Sequence, residues 1–526
     1  RKSDQERPII IGGDDWSSAE RWVEKSDTLK YLKDPVNNLI YEAHVYFDAD
    51  ASGSYNGSYD TEKGSPTRGI ERVRPFVNWL KNNQLKGFVG EYGVPDDDER
   101  WLVTMDNFLN YLQSEGVNAT YWAAGPWWGK YPLSLTPKGG KDAPQMKIVE
   151  KYLTTSYRHW VDGALAKAEK QALLMARHLK DKEGKLPRSL NSNGELVTSS
   201  SDWWCSGFFP GVLWYLYENN KGSEELFDYA NLYTKRIEKE QFNTSTHDLG
   251  FMLYCSYGNG FRLNPTSESE GVLINGAHAL SARYNPVVKC IRSWNKWRDY
   301  SYPVIIDNMM NLEMLMWAYK RTGDDTFKNI AISHANTTKL HHFREDYSSF
   351  HVVAYDLKSG KVLQRGTDQG YGDDSSWARG QAWALYGYTM MYRETGNEDY
   401  LNLAWHIADF ILNHPHLPKD KIPYWDFDSP GIPDDYRDSS SAAIIASALL
   451  ELSKYSEGHR CERYYTVAEQ QLRMLASDEY MAEVGTNGFF ILKHGVGNIP
   501  QNSELDAPLS YGDYYFIEAL LRYRNY

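Results

Sequence analysis

Two aspartates stand where a carboxyl group could move protons. Asp307 lies in YPVIIDNMMNLEMLMWAY, among apolar residues, and Asp248 in THDLGFMLY. A carboxyl group enclosed by apolar side chains loses solvation and its pKa rises, the property a general acid needs near neutral pH. If the segment after Asp307 is helical, Asp307, Met310, Asn311 and Met314 share one face. Either aspartate fits a helix N-cap as well. Further on, TDQGYGDDSSWARGQAWALYGY (367–388) gathers Gln369, Asp373, Asp374, Trp377, Arg379 and Trp383 among glycines. Polar and aromatic groups at the start of a helix suit a ligand wall, and Arg379 can fork onto a carboxylate. Asp373 or Asp374 is expected as a plain N-cap instead of a ligand group. SDWWCSGFFPG adds Trp203, Trp204, Phe208 and Phe209, some of them core.

A second set lies nearer the N-terminus. Glu91 ends the apolar run of GFVGEYGVP, His44 and Tyr46 sit two residues apart in YEAHVYFD, and Trp122, Trp127 and Trp128 occur in YWAAGPWWG. Residues two apart share a strand face, and charge at the C-terminal end of barrel strands is the usual place for catalysis. The set reads as a sugar-cleaving cleft or as a structural glutamate paired with a buried base.

Two kinds of element must position these groups. Residues 1–137 alternate short apolar runs (Pro8–Gly12, Leu39–Phe47, Gly87–Val94, Ala119–Ala124) with helical stretches (Ser18–Val23, Thr67–Asn82, Asp97–Ser114). That order predicts a parallel α/β sheet or barrel segment. TPKGGKDA (136–143) marks a break, and 138–158 is expected to be a linker. Residues 159–526 are mainly α. Glycine turns at Gly222, Gly323, Gly396 and Gly458 each follow a helical stretch and precede another, with acidic residues near the next start. Their spacings of 101, 73 and 62 residues are too irregular for a simple solenoid and fit a closed toroid of helical hairpins.

The composition is globular. Of 526 residues, 41% are hydrophobic and 24% charged, and no apolar run is long enough to span a membrane. A net charge of −13 disfavours nucleic acid and anionic membrane as partners. The 18 Trp, 39 Tyr and 18 Phe suit both a large core and flat-faced ligands. The four cysteines (Cys205, Cys255, Cys290, Cys461) form no CxxC and predict neither a zinc site nor a disulfide scaffold. The charged stretch Arg1–Arg7 is no signal peptide.

IGGDDWSSAERW, YEAHVYFD, FVGEYGVP and YWAAGPWWG, from Pro8 to Pro137, resemble the second half of a glycoside hydrolase family 5 cellulase. The resemblance implies the last four strands of an eight-stranded (β/α)8 barrel. It places Glu91 on the nucleophile, His44 and Tyr46 on the active-site pair, and Trp122 beside them. The family's acid/base glutamate, in an Asn-Glu-Pro motif, has no counterpart here. We expect no cellulase activity from this half alone; a fragment of a longer protein is the favoured explanation, ahead of a missing N-terminal piece supplied in trans or a decayed accessory domain.

WCSGFFPG, HDLGF, IIDNMMNL, DQGYGDDSSWARGQAW, RDSSSAAI and YGDYYFIEAL occur in the order of glycoside hydrolase family 88, the unsaturated glucuronyl hydrolases. The resemblance covers Lys167 to Arg522 and implies an (α/α)6 barrel. It implies Asp307 as general acid/base and Asp248 as the second essential carboxylate. Trp204, Phe208, His351, Gln369, Trp377, Arg379 and Trp383 would contact substrate. Several members carry His where this chain has Asp368, which weakens any preference for sulfated neighbours. Family 105, acting on unsaturated rhamnogalacturonyl units, shares the fold, but HDLGF with IID favours family 88. The expected reaction is hydration of the C4=C5 vinyl ether of an unsaturated uronate at the non-reducing end of a lyase-generated oligosaccharide, with no cofactor and no metal. A carbohydrate-binding protein without catalysis is the competing class, and a β-glucan hydrolase a third. The cellulase-like half points to a periplasmic or extracellular protein.

Overall fold

The computed structural model describes residues 8–35, 38–128, 131–139, 141–153 and 159–526. The chain forms two compact units, Arg1–Trp160 and Val161–Tyr526.

In the first unit four parallel strands, β1 (Ile9–Gly12), β2 (Leu39–His44), β3 (Lys86–Tyr92) and β4 (Asn118–Tyr121), lie in the order β1-β2-β3-β4. The connections include helices α1 (Arg68–Asn83) and α2 (Glu99–Ser114), whose apolar stripes cover one sheet face. Tyr41, Ala43 and Val89 point into that core. Asp98 caps α2 by accepting the Arg100 N–H. The helix expected over Ser18–Val23 is instead a single turn at Trp22–Lys25 followed by a 3-10 turn, Asp27–Tyr31. The stretch 138–158 is not all linker. It carries α3 (Met146–Leu153), whose Ile148 and Val149 join the first unit's core; residues 154–158 lie outside the described residues.

The second unit is an (α/α)6 barrel. Its outer helices are α4 (His159–Leu179), α6 (Glu224–Lys235), α8 (Ser267–Ser281), α10 (Asp325–His341), α12 (Glu398–Asn413) and α14 (Gly458–Leu475). They alternate with inner helices α5 (Phe208–Asn219), α7 (a π-helical stretch Gly250–Gly258 running into Asn259–Leu263), α9 (Leu312–Thr322), α11 (Ala378–Thr395), α13 (Ser439–Ser453) and α15 (Ser510–Arg524). Each inner helix packs on the next, and α15 on α5, so the ring closes. Inner helices are buried nearly all round: every residue of α13 is buried. Gly323 (φ 74°) and Gly396 (φ 68°) end α9 and α11 in the left-handed region that glycine tolerates, and Asp324 and Asn397 cap the helices that follow. Gly458 departs from this pattern: α13 ends at Ser453, and Gly458 opens α14. All four cysteines are free.

Candidate active site

The N-terminal ends of the inner helices converge at one end of the barrel, bringing Phe208, Asp248, Asp307, Trp377, Arg379, Asp438 and Tyr511 together from six elements. The segment holding Asp307 is not α-helical at first. Strand Pro303–Ile305 passes into a 3-10 turn, Ile306–Asn311, and α9 begins only at Leu312. Asp307 caps nothing, nor does Asp248, whose Oδ2 accepts the Thr246 hydroxyl at 3.0 Å. The two approaches are locked together by Asn311. Its Oδ1 accepts the Phe251 N–H at 2.9 Å, and Gly250 lies so close that a Cβ would meet the Asn311 Cα at 2.6 Å.

Asp307 is buried, and its Oδ2 has no hydrogen-bond partner among the described residues. Burial pushes its pKa up to about 7; the positive charge of Arg379 opposes this and the negative charge of Asp248 adds to it. His351 Nε2, also unpartnered, stands 3.7 Å from Asp307 Oδ2. His351 Nδ1 accepts the Asp368 N–H at 3.2 Å, which leaves the proton on Nε2. Burial holds this imidazole well below its ordinary pKa, so it is a neutral donor facing the carboxyl group. The Trp383 indole N–H is buried and unpartnered too. Unpaired buried polar atoms are costly, and several in one place mark a site shaped for a ligand.

Arg379 does not serve as a free anchor for a substrate carboxylate. It is 2% exposed, and its Nη1 and Nη2 donate to Val496 O, Asp438 Oδ2, Gln369 Oε1 and Gly497 O. Its plane lies 4.5 Å from the Trp377 ring, so it contributes field and scaffolding. Gln369 accepts from Arg379, and its amide N–H groups have no partner among the described residues. Trp377 stacks on His351, with ring centroids 4.4 Å apart. Trp204 remains partly open, whereas Phe208 is fully buried against Trp204, Phe251 and Tyr511 and supports the wall from behind. Asp373 and Asp374 are not N-caps. The start of α11 has no side-chain cap, and Asp373 instead accepts the Thr367 N–H and pairs with Arg298, closing the loop.

Sequence reasoning passed over three neighbours. His247 is buried beside Asp248, its Nε2 3.3 Å from Asp248 Oδ1, and burial lowers its pKa. Tyr511 lies over Trp204 (4.9 Å) with a buried, unpartnered hydroxyl. Asp438 caps α13 and takes Arg379 at 3.4 Å. All three belong to motifs already noted, His247 to HDLGF, Asp438 to RDSSSAAI and Tyr511 to YGDYYFIEAL, which carried their signal.

In the first unit, Glu91 is the penultimate residue of β3 and accepts the Tyr46 hydroxyl at 2.8 Å, while His44 Nδ1 lies 3.5 Å away. Burial and the Glu91 carboxylate raise the Tyr46 pKa. The other His44 nitrogen pairs with Glu42 at 2.7 Å; burial opposes the imidazolium, but Glu42 prevails and the pKa rises. Glu91, His44 and Tyr46 line a cavity of about 360 Å³. Trp122 packs edge-on to Trp128 (5.1 Å), and Trp127 is 92% exposed. Glu42 is committed to His44 and is not placed as a free acid opposite Glu91.

The family model for cellulase (glycosyl hydrolase family 5) matches residues 1–127. The probable endo-beta-1,4-glucanase B of Neosartorya fischeri is 37% identical over 148 residues, covering 28% of this chain and 44% of that protein. The chain thus spans less than half the length of this relative. Over the helical unit, the unsaturated glucuronyl hydrolase of Formosa agariphila is 48% identical over 343 residues, covering 64% of this chain and 84% of that protein. A crystal structure of an unsaturated glucuronyl hydrolase specific for heparin is 48% identical, with a TM-score of 0.67 and coverage of 70% of this chain and 97% of that one.

Proposed function

The chain belongs to the unsaturated glucuronyl hydrolases, glycoside hydrolase family 88, and from that membership we propose how its helical unit releases the 4,5-unsaturated uronic acid from the non-reducing end of lyase-generated oligosaccharides. The observation that carries the reading is Asp307, a buried carboxyl group with a raised pKa and an unpartnered oxygen, in the field of Asp248. Protonated Asp307 delivers its proton to C4 of the vinyl ether. Positive charge develops at C5 and the ring oxygen, stabilised by the nearby carboxylates. Asp307, now ionised, takes a proton from a water that adds to C5. That step restores the acid; the resulting hemiketal opens to a ketone at C5 and a hemiacetal at C1, whose hydroxyl proton passes to the neighbouring sugar's oxygen as that sugar is expelled and C1 becomes an aldehyde. No bond is displaced directly at the anomeric carbon, so the carboxylate-separation rule for retaining and inverting enzymes does not govern this site.

Asp248 holds sugar hydroxyls and keeps Asp307 protonated. With Arg379 engaged internally, the uronate is held by neutral donors: the Gln369 amide, His351 Nε2–H and the Trp383 indole N–H. Trp204 and Trp377 supply apolar faces. The experiment follows loss of the conjugated ultraviolet chromophore on unsaturated disaccharides. Asp307→Asn lowers kcat by roughly 10²–10⁴-fold, the usual worth of a general acid–base group. A near-wild-type rate in that variant refutes the assignment, and binding without chromophore loss in the parent protein selects the non-catalytic reading.

A further inference from the structure

The barrel axis carries a second cavity, on the far side of the floor of the site just described. The floor is a closed belt of four rings: Phe208–Phe251 (5.3 Å), Phe251–Trp383 (5.1 Å), Trp383–Tyr515 (5.4 Å) and Tyr515–Phe208 (6.0 Å). On one side stand Trp204, Tyr511 and Asp307. On the other, the later turns of the inner helices enclose about 390 Å³, at the small end of the ~300–1,000 Å³ usual for ligand pockets.

The lining offers flat apolar faces and unspent polar groups. Trp317 is fixed edge-to-face by Phe261 (5.3 Å, 83°), with Tyr254 tilted beside it (6.5 Å). Among the described residues, neither the Trp317 indole N–H nor the Tyr254 hydroxyl has a hydrogen-bond partner within the protein. Glu313 gives one oxygen to Arg393 (2.5 Å), and its other oxygen has no partner among the described residues. By contrast Glu518 is fully engaged, accepting from Tyr215, Tyr386 and Ser447 and pairing with Arg522, so it forms rigid structure.

The charge balance says what cannot enter. Glu313, Glu394, Glu451 and Glu518 cluster here, and the nearby cations are each held by a carboxylate: Arg393 by Glu313 and Glu451, Arg522 by Glu451, Lys320 by Glu394, Arg262 by Glu218. The C-terminal ends of the inner helices add negative potential on this side. A free anion finds repulsion and no spare cation.

We propose that this cavity is a second, non-catalytic carbohydrate site for an uncharged pyranose of one or two rings, stacked on Trp317 with its hydroxyls bonded to Tyr254 and Glu313. It takes the opposite class from the anionic sugar handled at the other end of the barrel, and it does not depend on the mechanism proposed there.

The test is calorimetric titration and saturation-transfer NMR of the full chain with D-glucose and D-glucuronate, on the parent protein and on Trp317→Leu and Tyr254→Phe. The expected result is saturable glucose binding in the ~millimolar range, weakened roughly tenfold by either substitution. Glucuronate shows no binding that depends on Trp317, and chromophore loss on an unsaturated disaccharide keeps its kcat/KM in both variants. Glucose binding unchanged by both substitutions, or no binding at all, overturns the proposal. Tyr254→Phe removes one oxygen and keeps the ring, so it carries the test should Trp317→Leu fold poorly.

Discussion

Asp307 shows how far one residue's surroundings decide its chemistry. Its pKa near 7 means that the acid form dominates below neutrality. We therefore expect kcat/KM to be high in acid solution and to fall about tenfold per pH unit once the pH passes ~7, as the working acid ionises. The same shift has a consequence for stability. The folded pKa exceeds the ordinary value of 3.8, so between about 4 and 7 the native state holds more protons than the unfolded one. Stability contributed by this group therefore falls as pH rises through that window and levels off above it. Asp307→Asn, which cannot ionise, removes that slope: thermal melts at pH 5 and pH 8 should differ less for the variant than for the parent. A parent protein whose Tm rises steadily from pH 4 to 7 and matches the variant contradicts the burial argument.

At the scale of elements, the site depends on α7 and α9 starting side by side. The Asn311 amide oxygen reaches across to the Phe251 N–H, and Gly250 leaves no room between the two backbones. Asn311→Ala leaves a buried N–H unsatisfied, which costs about 1–3 kcal/mol. It also frees Asp248 to drift relative to Asp307. Because Asn311 acts through these two residues, we expect the alkaline limb of the pH–rate profile to shift toward lower pH as the Asp248 field weakens, and kcat to fall more than KM rises. A variant that only melts earlier, with an unchanged profile, assigns Asn311 a structural part alone.

At the scale of the molecule, the two units are unequal in chemistry. The helical unit has a complete set of groups. The sheet unit has Glu91 with Tyr46 and His44 around it, while Glu42, the neighbouring carboxylate, is tied to His44. Retaining glycosidases need a nucleophile and an acid about 5–5.5 Å apart. We therefore expect no turnover of soluble β-glucans by this chain and no change on Glu91→Gln, checked by reducing-sugar release. Turnover that disappears in that variant shows that a second carboxyl group completes the site.

Sequence alone determined the class of each unit and most of the chemical inventory. Short apolar runs alternating with helical stretches pointed to a parallel sheet, because parallel strands need a crossover connection and a helix usually supplies it; that only one sheet face is covered, leaving β1 largely exposed, was not legible in those runs. Repeated helix–turn–helix units with glycine turns at 222, 323 and 396 pointed to hairpins packed side by side. The motifs around Asp248, Asp307 and 367–388 named the groups to look for. Tertiary structure decided what each group is free to do. That Arg379 has its donors occupied, that Phe208 lies behind the wall, that Asp373 closes a loop instead of capping a helix, and that His351 turns a neutral N–H toward Asp307 all depend on partners up to 118 positions away in the chain. Hydrogen bonds and desolvation act through space, and a linear pattern carries the identity of a side chain but not the neighbours that engage it.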